Sequence, residues 1–325
     1  MNRQILISRN DYQVWYNMGV NLSKSRKYRQ AITAFDKAIK IKPDYPEALN
    51  NRGNILKVLG RLNSALNNFN LAVNLEPNYY LAWYNRGNLL NDLKQYREAI
   101  NSFKKAIQIK PYLYQAWYNL GNAWNSLGHY GEALENYEQV TKIKPNLSQG
   151  WHNQGQILFD LGRYQKALKC FEQVIKLKPN HYVAWNFKGR TLFYLGDTRG
   201  EILSYKKAIE IKIDYQEAWN NLGRALSNLG DWHEGIVSFD KAIKIKPDYS
   251  LAYYNKACCY AVQEKVYLAI ENLEQAINLG AGKDYRAMAK TDTDFANIQF
   301  HPKFQDLING NSCLLYTSDA ADEGW

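Results

Sequence analysis

Sulfur and imidazole are scarce in this chain: of 325 residues, 4 are cysteine, 3 methionine and 5 histidine. Cys170, Cys258, Cys259 and Cys313 include no C-x-x-C pair, which excludes a disulfide framework as the basis of the fold. The histidines (His129, His152, His181, His233 and His301) recur at no common interval and form no metal-ligand motif, so no metal site is expected. G-x-S-x-G, H-E-x-x-H and a phosphate-cradling glycine loop are all missing. No catalytic residue and no cofactor is therefore expected, and the chain is read as a non-enzyme. No apolar run reaches the roughly 18 residues that span a bilayer, and no secretory leader precedes residue 12. A soluble, cytoplasmic protein is expected, with no integral membrane segment.

What the chain has in abundance is order. A 34-residue unit starts at Tyr12, Pro46, Tyr80, Tyr114, Ser148, Tyr182, Gln216 and Ser250 and runs to residue 283 without insertion. A fixed period of this kind means that each unit is one supersecondary element, burying its apolar face against its neighbours. Position 4 is Trp in six units (Trp15, Trp83, Trp117, Trp151, Trp185, Trp219). Position 8 is Gly in seven, from Gly19 to Gly223, and position 20 is small in seven, from Ala31 to Ala269. Position 24 is an aromatic ring in seven, such as Phe35, Phe103, Tyr137 and Phe239. Of the eight prolines, six stand at position 32: Pro43, Pro77, Pro111, Pro145, Pro179 and Pro247.

Positions 4, 8 and 11 share one helical face, and positions 20, 24 and 27 share another. The unit therefore reads as helix, turn, helix, turn. Small residues at 8 and 20 let two backbones approach, and the ring at 24 fills the space between them. Proline at 32 cannot continue a helix and closes the second one. Lysine at position 31 (Lys42, Lys110, Lys144, Lys178, Lys212, Lys246) sits at that helix's C-terminal end, where it complements the dipole.

The pattern W-x2-L/R-G-x2-L, then Y, then A-x3-F-x2-A, then P resembles the tetratricopeptide repeat family, over 272 of the 325 residues. Runs such as AWYNRGN and FDKAIKIKPD resemble bacterial arrays, cyanobacterial ones in particular. The resemblance implies an all-α solenoid, a right-handed α-α superhelix of eight helix-turn-helix repeats at 12–45, 46–79, 80–113, 114–147, 148–181, 182–215, 216–249 and 250–283. It also implies that first helices line a concave groove and second helices form the convex side.

Residues 284–312 are expected to cap the array. A helix over 284–290, a turn through 291–294 and a helix after Pro302 would bring Phe295, Ile298, Phe304, Leu307 and Ile308 onto the last repeat. Asp292 and Asp294 are not read as a calcium loop, because its glycine and its twelfth-position glutamate are missing. Residues 1–11 form a lead-in, in which Ile5-Leu6-Ile7 is either a staple or the end of an upstream domain. Cys313 to Glu323 reads CLLYTSDAADE. A DNA string resembling the transposon end and read primer of tagmentation libraries encodes that run, so 313–325 is read as translated adapter.

The net charge is +10, and removing Asp319, Asp322 and Glu323 with the adapter raises it to +13. The recurrent lysines lie on and beside the second helices, not on the groove, and no aromatic and basic platform for single strands is present. Nucleic acid is not an expected partner.

Function is sought in the groove. Position 6 is Asn17, Asn51, Asn85, Asn119, Asn153, Asn221 and Asn255, interrupted by Phe187. Amides donate and accept, so a regular ladder of them either satisfies an extended peptide or bonds neighbouring backbone. Tyr84, Tyr118 and His152 at position 5, with Asn88 and Asn122 at position 9, make the first half of the groove neutral and aromatic. No repeat has Lys at position 5, so the cationic clamp of co-chaperone members is not assembled. Repeat six departs from the pattern at Phe187, Thr198, Glu201 and Ile213. Glu201 at a small-residue position requires solvent or a basic partner. Phe159 and Phe193 at position 12, with Arg190 and Arg224 at position 9 and His152, are read as an apolar shelf bordered by guanidinium groups. The expected function is a monomeric, non-catalytic scaffold binding a protein or peptide segment. The alternative is the regulatory or targeting arm of a larger enzyme (a glycosyltransferase, kinase or protease) whose effector domain this sequence lacks.

Overall fold

The structure is a computed structural model that describes residues 11–280 and 282–310. The Ile5-Leu6-Ile7 triplet and the adapter-like segment lie outside the described residues. Those described form helices and short turns, with no strand among them. The chain divides into two compact units, Met1–Leu161 and Gly162–Trp325. The division falls inside the fifth repeat, between the helices Ser148–Asp160 and Tyr164–Leu177.

In the first unit, each 34-residue segment gives a pair of helices, such as Tyr80–Asp92 with Tyr96–Ile109. Successive helices pack on one another along the chain. The rings at position 24 form the centre of each pair: Phe35, Phe69 and Phe103 have no exposure and Tyr137 has 1%. Glycine at position 8 is what admits them. A Cβ at Gly87 would stand 2.6 Å from the Phe103 ring, inside van der Waals contact.

The turn between paired helices has a fixed backbone device. Position 15 has positive φ in every repeat: Gly60 and Gly128, for example, but also Arg26, Lys94 and Glu264. A left-handed residue closes the first helix and lets the next N–H reach back, as Arg61 N–H does to the Leu56 carbonyl at 2.9 Å. The link to the following repeat is held by tryptophan. Trp83 and Trp117 donate Nε1–H to the carbonyls of Pro77 and Pro111 at 2.9 and 2.7 Å. The position-31 lysines do more than face the dipole: Lys110 and Lys144 lie 4.3 and 4.4 Å from the ring centres of Tyr80 and Tyr114.

The second unit repeats this arrangement. Trp185 donates to the Pro179 carbonyl, and Trp219 donates to that of Ile213, each at 2.8 Å, so the contact survives loss of the proline. Glu201 is buried at 1% exposure and accepts from Arg224 at 3.2 Å, which supplies the basic partner its position requires. After the eighth repeat come a helix Tyr285–Thr291, a 3-10 helix Thr293–Ile298 and a helix Pro302–Asn309. Phe295, Ile298, Phe304, Leu307 and Ile308 are all buried in one cluster with Tyr254, Ala257 and Leu273. The expected turn through residue 294 is shorter than expected, because Asp292 caps the 3-10 helix by accepting from the Asp294 N–H at 3.1 Å. No helix among the described residues is long and apolar enough to cross a membrane.

Candidate functional site

The asparagines of position 6 form rungs between repeats. In the first unit, Asn51 Nδ2 donates to the Tyr16 hydroxyl at 3.0 Å, and Asn85 Nδ2 to Asn50 Oδ1 at 2.9 Å. Asn119 reaches both the Tyr84 hydroxyl at 3.3 Å and Asn88 Oδ1 at 2.7 Å. Asn153 does the same with Tyr118 at 3.1 Å and Asn122 Oδ1 at 3.3 Å. In the second unit, Asn221 and Asn255 donate to Asn186 and Asn220 Oδ1, each at 2.9 Å. Each rung thus joins position 6 to position 5 of the preceding repeat. Asn17 has no preceding repeat among the described residues; it is exposed and lines a shallow cavity with Val14 and Met18.

This divides the amide groups into two classes. Position-5 asparagines are buried, at 3% for Asn50 and Asn186 and 1% for Asn220, and serve as acceptors inside the stack. Position-9 amides stay half-exposed. Asn88 and Asn122 spend their Oδ1 atoms on Asn119 and Asn153, and Asn122 also accepts from Tyr137 at 2.6 Å. Among the described residues, their Nδ2 groups and Asn119 Oδ1 have no protein partner. Tyr84 and Tyr118 lean on the position-24 rings of their own repeats, Phe103 and Tyr137, at 6.2 and 5.9 Å.

Two cavities occupy the same register, one in each unit. That of the first unit, about 310 Å³, is lined by Asn122, Asn125, Ser126, Asn153, Gln156 and Asp160, with Tyr137 and Ile157 at its floor. That of the second, about 460 Å³, has Arg224, Ser227, Asn228 and Asn255 at corresponding positions. Its further walls are Trp232, Tyr254, Cys258, Cys259 and Val262, and the capping segment adds Asp292 and Asp294.

The inferred shelf is divided between the two units. His152 and Phe159 belong to the first, where His152 is half-buried and Phe159 buried at 7% exposure, so Phe159 presents little ring to a ligand. In the second unit Phe193 is 37% exposed, but the guanidinium carbon of Arg224 lies 4.1 Å from its ring centre. Arg190 lies in the same way over Phe187, at 4.8 Å, and Phe187 stacks on Phe171 at 5.2 Å. The guanidinium groups therefore cover rings and do not border a bare apolar surface. Exposed aromatic area continues instead at Tyr194, which stacks on Tyr164 at 4.4 Å.

The polar contacts where the cap meets the last repeat escaped the sequence reading. Tyr254 donates to Asp292 Oδ2 at 2.8 Å, and ligand atoms of Cys258, Asp292 and Asp294 lie within 4.8 Å of one another. Burial, with the nearby Asp292 charge, raises the Cys258 thiol and the Asp294 carboxyl above their ordinary ranges. The vicinal Cys258-Cys259 pair and the Asp-x-Asp spacing were visible, but only the fold brings them to one cavity.

Models described as tetratricopeptide repeat match residues 46–79, 80–113, 114–147, 148–181, 182–213 and 217–249, and a TPR repeat model matches 24–60. No curated protein matches the chain. Among solved structures, YrrB, described as a TPR protein with an unusual peptide-binding site, is 26% identical, with a TM-score of 0.53 over 57% of this chain and 95% of its own. MamA is similar at 23% identity, with a TM-score of 0.50 over 53% of this chain and 94% of its own. The C-terminal part of a TPR repeat-containing protein from Cytophaga hutchinsonii shares the fold at 18% identity, with a TM-score of 0.64 over 74% and 98% of the two chains.

Proposed function

Because the chain belongs to the tetratricopeptide repeat family, we propose that it is a non-catalytic scaffold holding an extended segment of a partner protein along the groove face of its first helices. The observation that carries this reading is the half-exposed amide set of the first unit. Among the described residues, Asn88 and Asn122 keep Nδ2–H donors directed to no protein acceptor, and Asn119 keeps a carbonyl oxygen. Donors for peptide carbonyls and an acceptor for a peptide N–H thus stand in adjacent repeats, beside an amide-lined cavity of about 310 Å³. Such contacts read backbone and tolerate many side chains, while the rungs behind them keep the amides in place. The likeness to YrrB, a protein with a peptide-binding site, supports the class of ligand.

The test is selection of random 12-residue peptides displayed on phage against the whole chain, followed by anisotropy titration of the enriched sequences. Asn88→Asp and Asn122→Asp keep the oxygen that accepts from Asn119, Asn153 and Tyr137 but lose the Nδ2 donor. Each should weaken binding by about 5- to 10-fold, the size of one lost hydrogen bond, with the melting curve little changed. Absence of enrichment, or enriched peptides indifferent to both substitutions, would exclude this reading.

A further inference from the structure

The larger of the two cavities carries carboxylate charge that has no basic partner among the described residues. Asp292 is half-buried, and Asp294, beside it, is exposed. Asp292 Oδ2 accepts from the Tyr254 hydroxyl and, at 3.8 Å, from the Cys258 thiol, and Oδ1 accepts from the Asp294 N–H. Neither carboxylate has a Lys, Arg or His partner among the described residues, in a chain of net charge +10. The one cation lining the cavity, Arg224, is held by Glu201 at 3.2 Å and lies over Phe193. Two neighbouring carboxylates repel each other, and a cation between them removes the repulsion.

The space beside them selects among cations. At about 460 Å³, the cavity is many times the roughly 10–15 Å³ that a single water-sized occupant needs. Its other walls include Trp232 and Val262, which suit an aliphatic stem. Asn255, also on the wall, has its Nδ2 committed to Asn220, which leaves Oδ1 as an acceptor. An ammonium group has three donors and no acceptor, and Asp292, Asp294 and Asn255 Oδ1 offer acceptors only.

We propose that this cavity is an anchor pocket for a basic side chain of the bound segment, its head group between Asp292 and Asp294 and its stem against Trp232 and Val262. The proposal rests on the groove reading above, applied to the first helices of the second unit, where the cavity would take a lysine or arginine.

The experiment uses the whole 15N-labelled chain and two small probes, Nα-acetyl-lysine amide and Nα-acetyl-norleucine amide, which share a stem and differ in charge. The lysine probe should shift amide resonances of 292–295 and 254–258, and the norleucine probe should not. Asp294→Asn and the pair Asp292→Asn with Asp294→Asn should each weaken the lysine probe by about 10-fold or more, one charge-assisted contact. Asparagine caps a helix as well as aspartate does, and Asp294→Asn alone leaves the cap untouched, so one variant keeps its fold. Equal shifts from both probes, no shifts, or indifference to the substitutions would overturn the proposal. So would Zn2+ binding with loss of the Cys258 thiol proton while the lysine probe stays inert, which would make the cluster a metal site. The phage selection reads the groove separately. Selected peptides that bind equally after lysine or arginine is replaced by norleucine remove the pocket and keep the groove. A lysine probe that binds where no peptide is enriched removes the groove.

Discussion

Glu201 and Arg224 form an ion pair that is buried on one side only. The carboxylate is 1% exposed and accepts from the guanidinium at 3.2 Å, while Arg224 keeps 30% side-chain exposure and rests on the Phe193 ring. Position 20 is Ala or Gly in every unit except repeat six, where a carboxylate is tolerated because the next repeat supplies arginine at position 9. The two partners are not equivalent, since each can be removed with different consequences for the one left behind.

Removing Arg224 strands a buried charge. Arg224→Met should cost about 3–5 kcal/mol at neutral pH, the usual penalty for an uncompensated buried ion. Glu201→Gln leaves an arginine that water already reaches, and should not destabilise. Burial raises the Glu201 pKa despite the arginine. A raised carboxyl favours the folded state fully below its unfolded value and loses that contribution as pH rises through its folded value. Glu201→Gln should therefore exceed wild type in stability at pH 7, the gap closing as pH falls through the raised folded value and gone below about 4, the ordinary range of a glutamate. Denaturant titrations at pH 4 and pH 7 read both effects. A Glu201→Gln variant that loses several kcal/mol at pH 7 would mean that the ion pair is net stabilising.

The glycines of position 8 that face an aromatic ring are not interchangeable with alanine; the one alanine at this position, Ala257, belongs to the repeat with Leu273 in place of the ring. A Cβ at Gly87 meets the fully buried Phe103 ring at 2.6 Å, whereas one at Gly131 meets nothing within 4 Å. Gly87→Ala should lose about 1–3 kcal/mol through overpacking. Gly131→Ala, on a free helix surface, should gain up to about 1 kcal/mol. Thermal melts of the two single variants decide the matter. Equal gains would mean that the Phe103 ring yields to the added methyl without cost.

The helical fold was legible because its determinants are periodic: Trp, Gly and the ring recur at fixed positions, and each has one physical job. Contacts that depend on a backbone atom were not. Trp219 finds the carbonyl of Ile213 just as Trp185 finds that of Pro179, and no side-chain pattern announces a carbonyl. The left-handed residue at position 15 was hidden for a related reason: Arg26, Lys94 and Glu264 adopt the conformation without glycine to mark it. In the groove, the ladder stood out in the sequence, but its direction, donating backwards to position 5, required coordinates. The burial of Phe159 and the stacking of Arg224 on Phe193 were not legible, because a helical wheel gives the face of a residue and not what covers it.

Repeat six also lacks the proline of position 32, and the structure is already shaped to receive it. Lys212, which precedes Ile213, has φ −138° and ψ 94°, close to the φ −141° and ψ 85° of Lys178 before Pro179. That extended conformation is the one a following proline imposes. Ile213 is 69% exposed, so its side chain contributes little burial, and the carbonyl that Trp219 reads is kept by proline. Ile213→Pro should raise stability by about 0.4–1 kcal/mol by restricting the unfolded chain. It would appear as a shift in denaturation midpoint at constant slope. Trp219→Phe, made in either background, should remove about 0.5–1.5 kcal/mol, one hydrogen bond to the chain. The two changes should add, since the proline acts on the unfolded state and the indole on the folded one. Destabilisation by Ile213→Pro would instead mean that φ at residue 213 lies outside the range proline allows, and that repeat six joins its neighbour by a different backbone path.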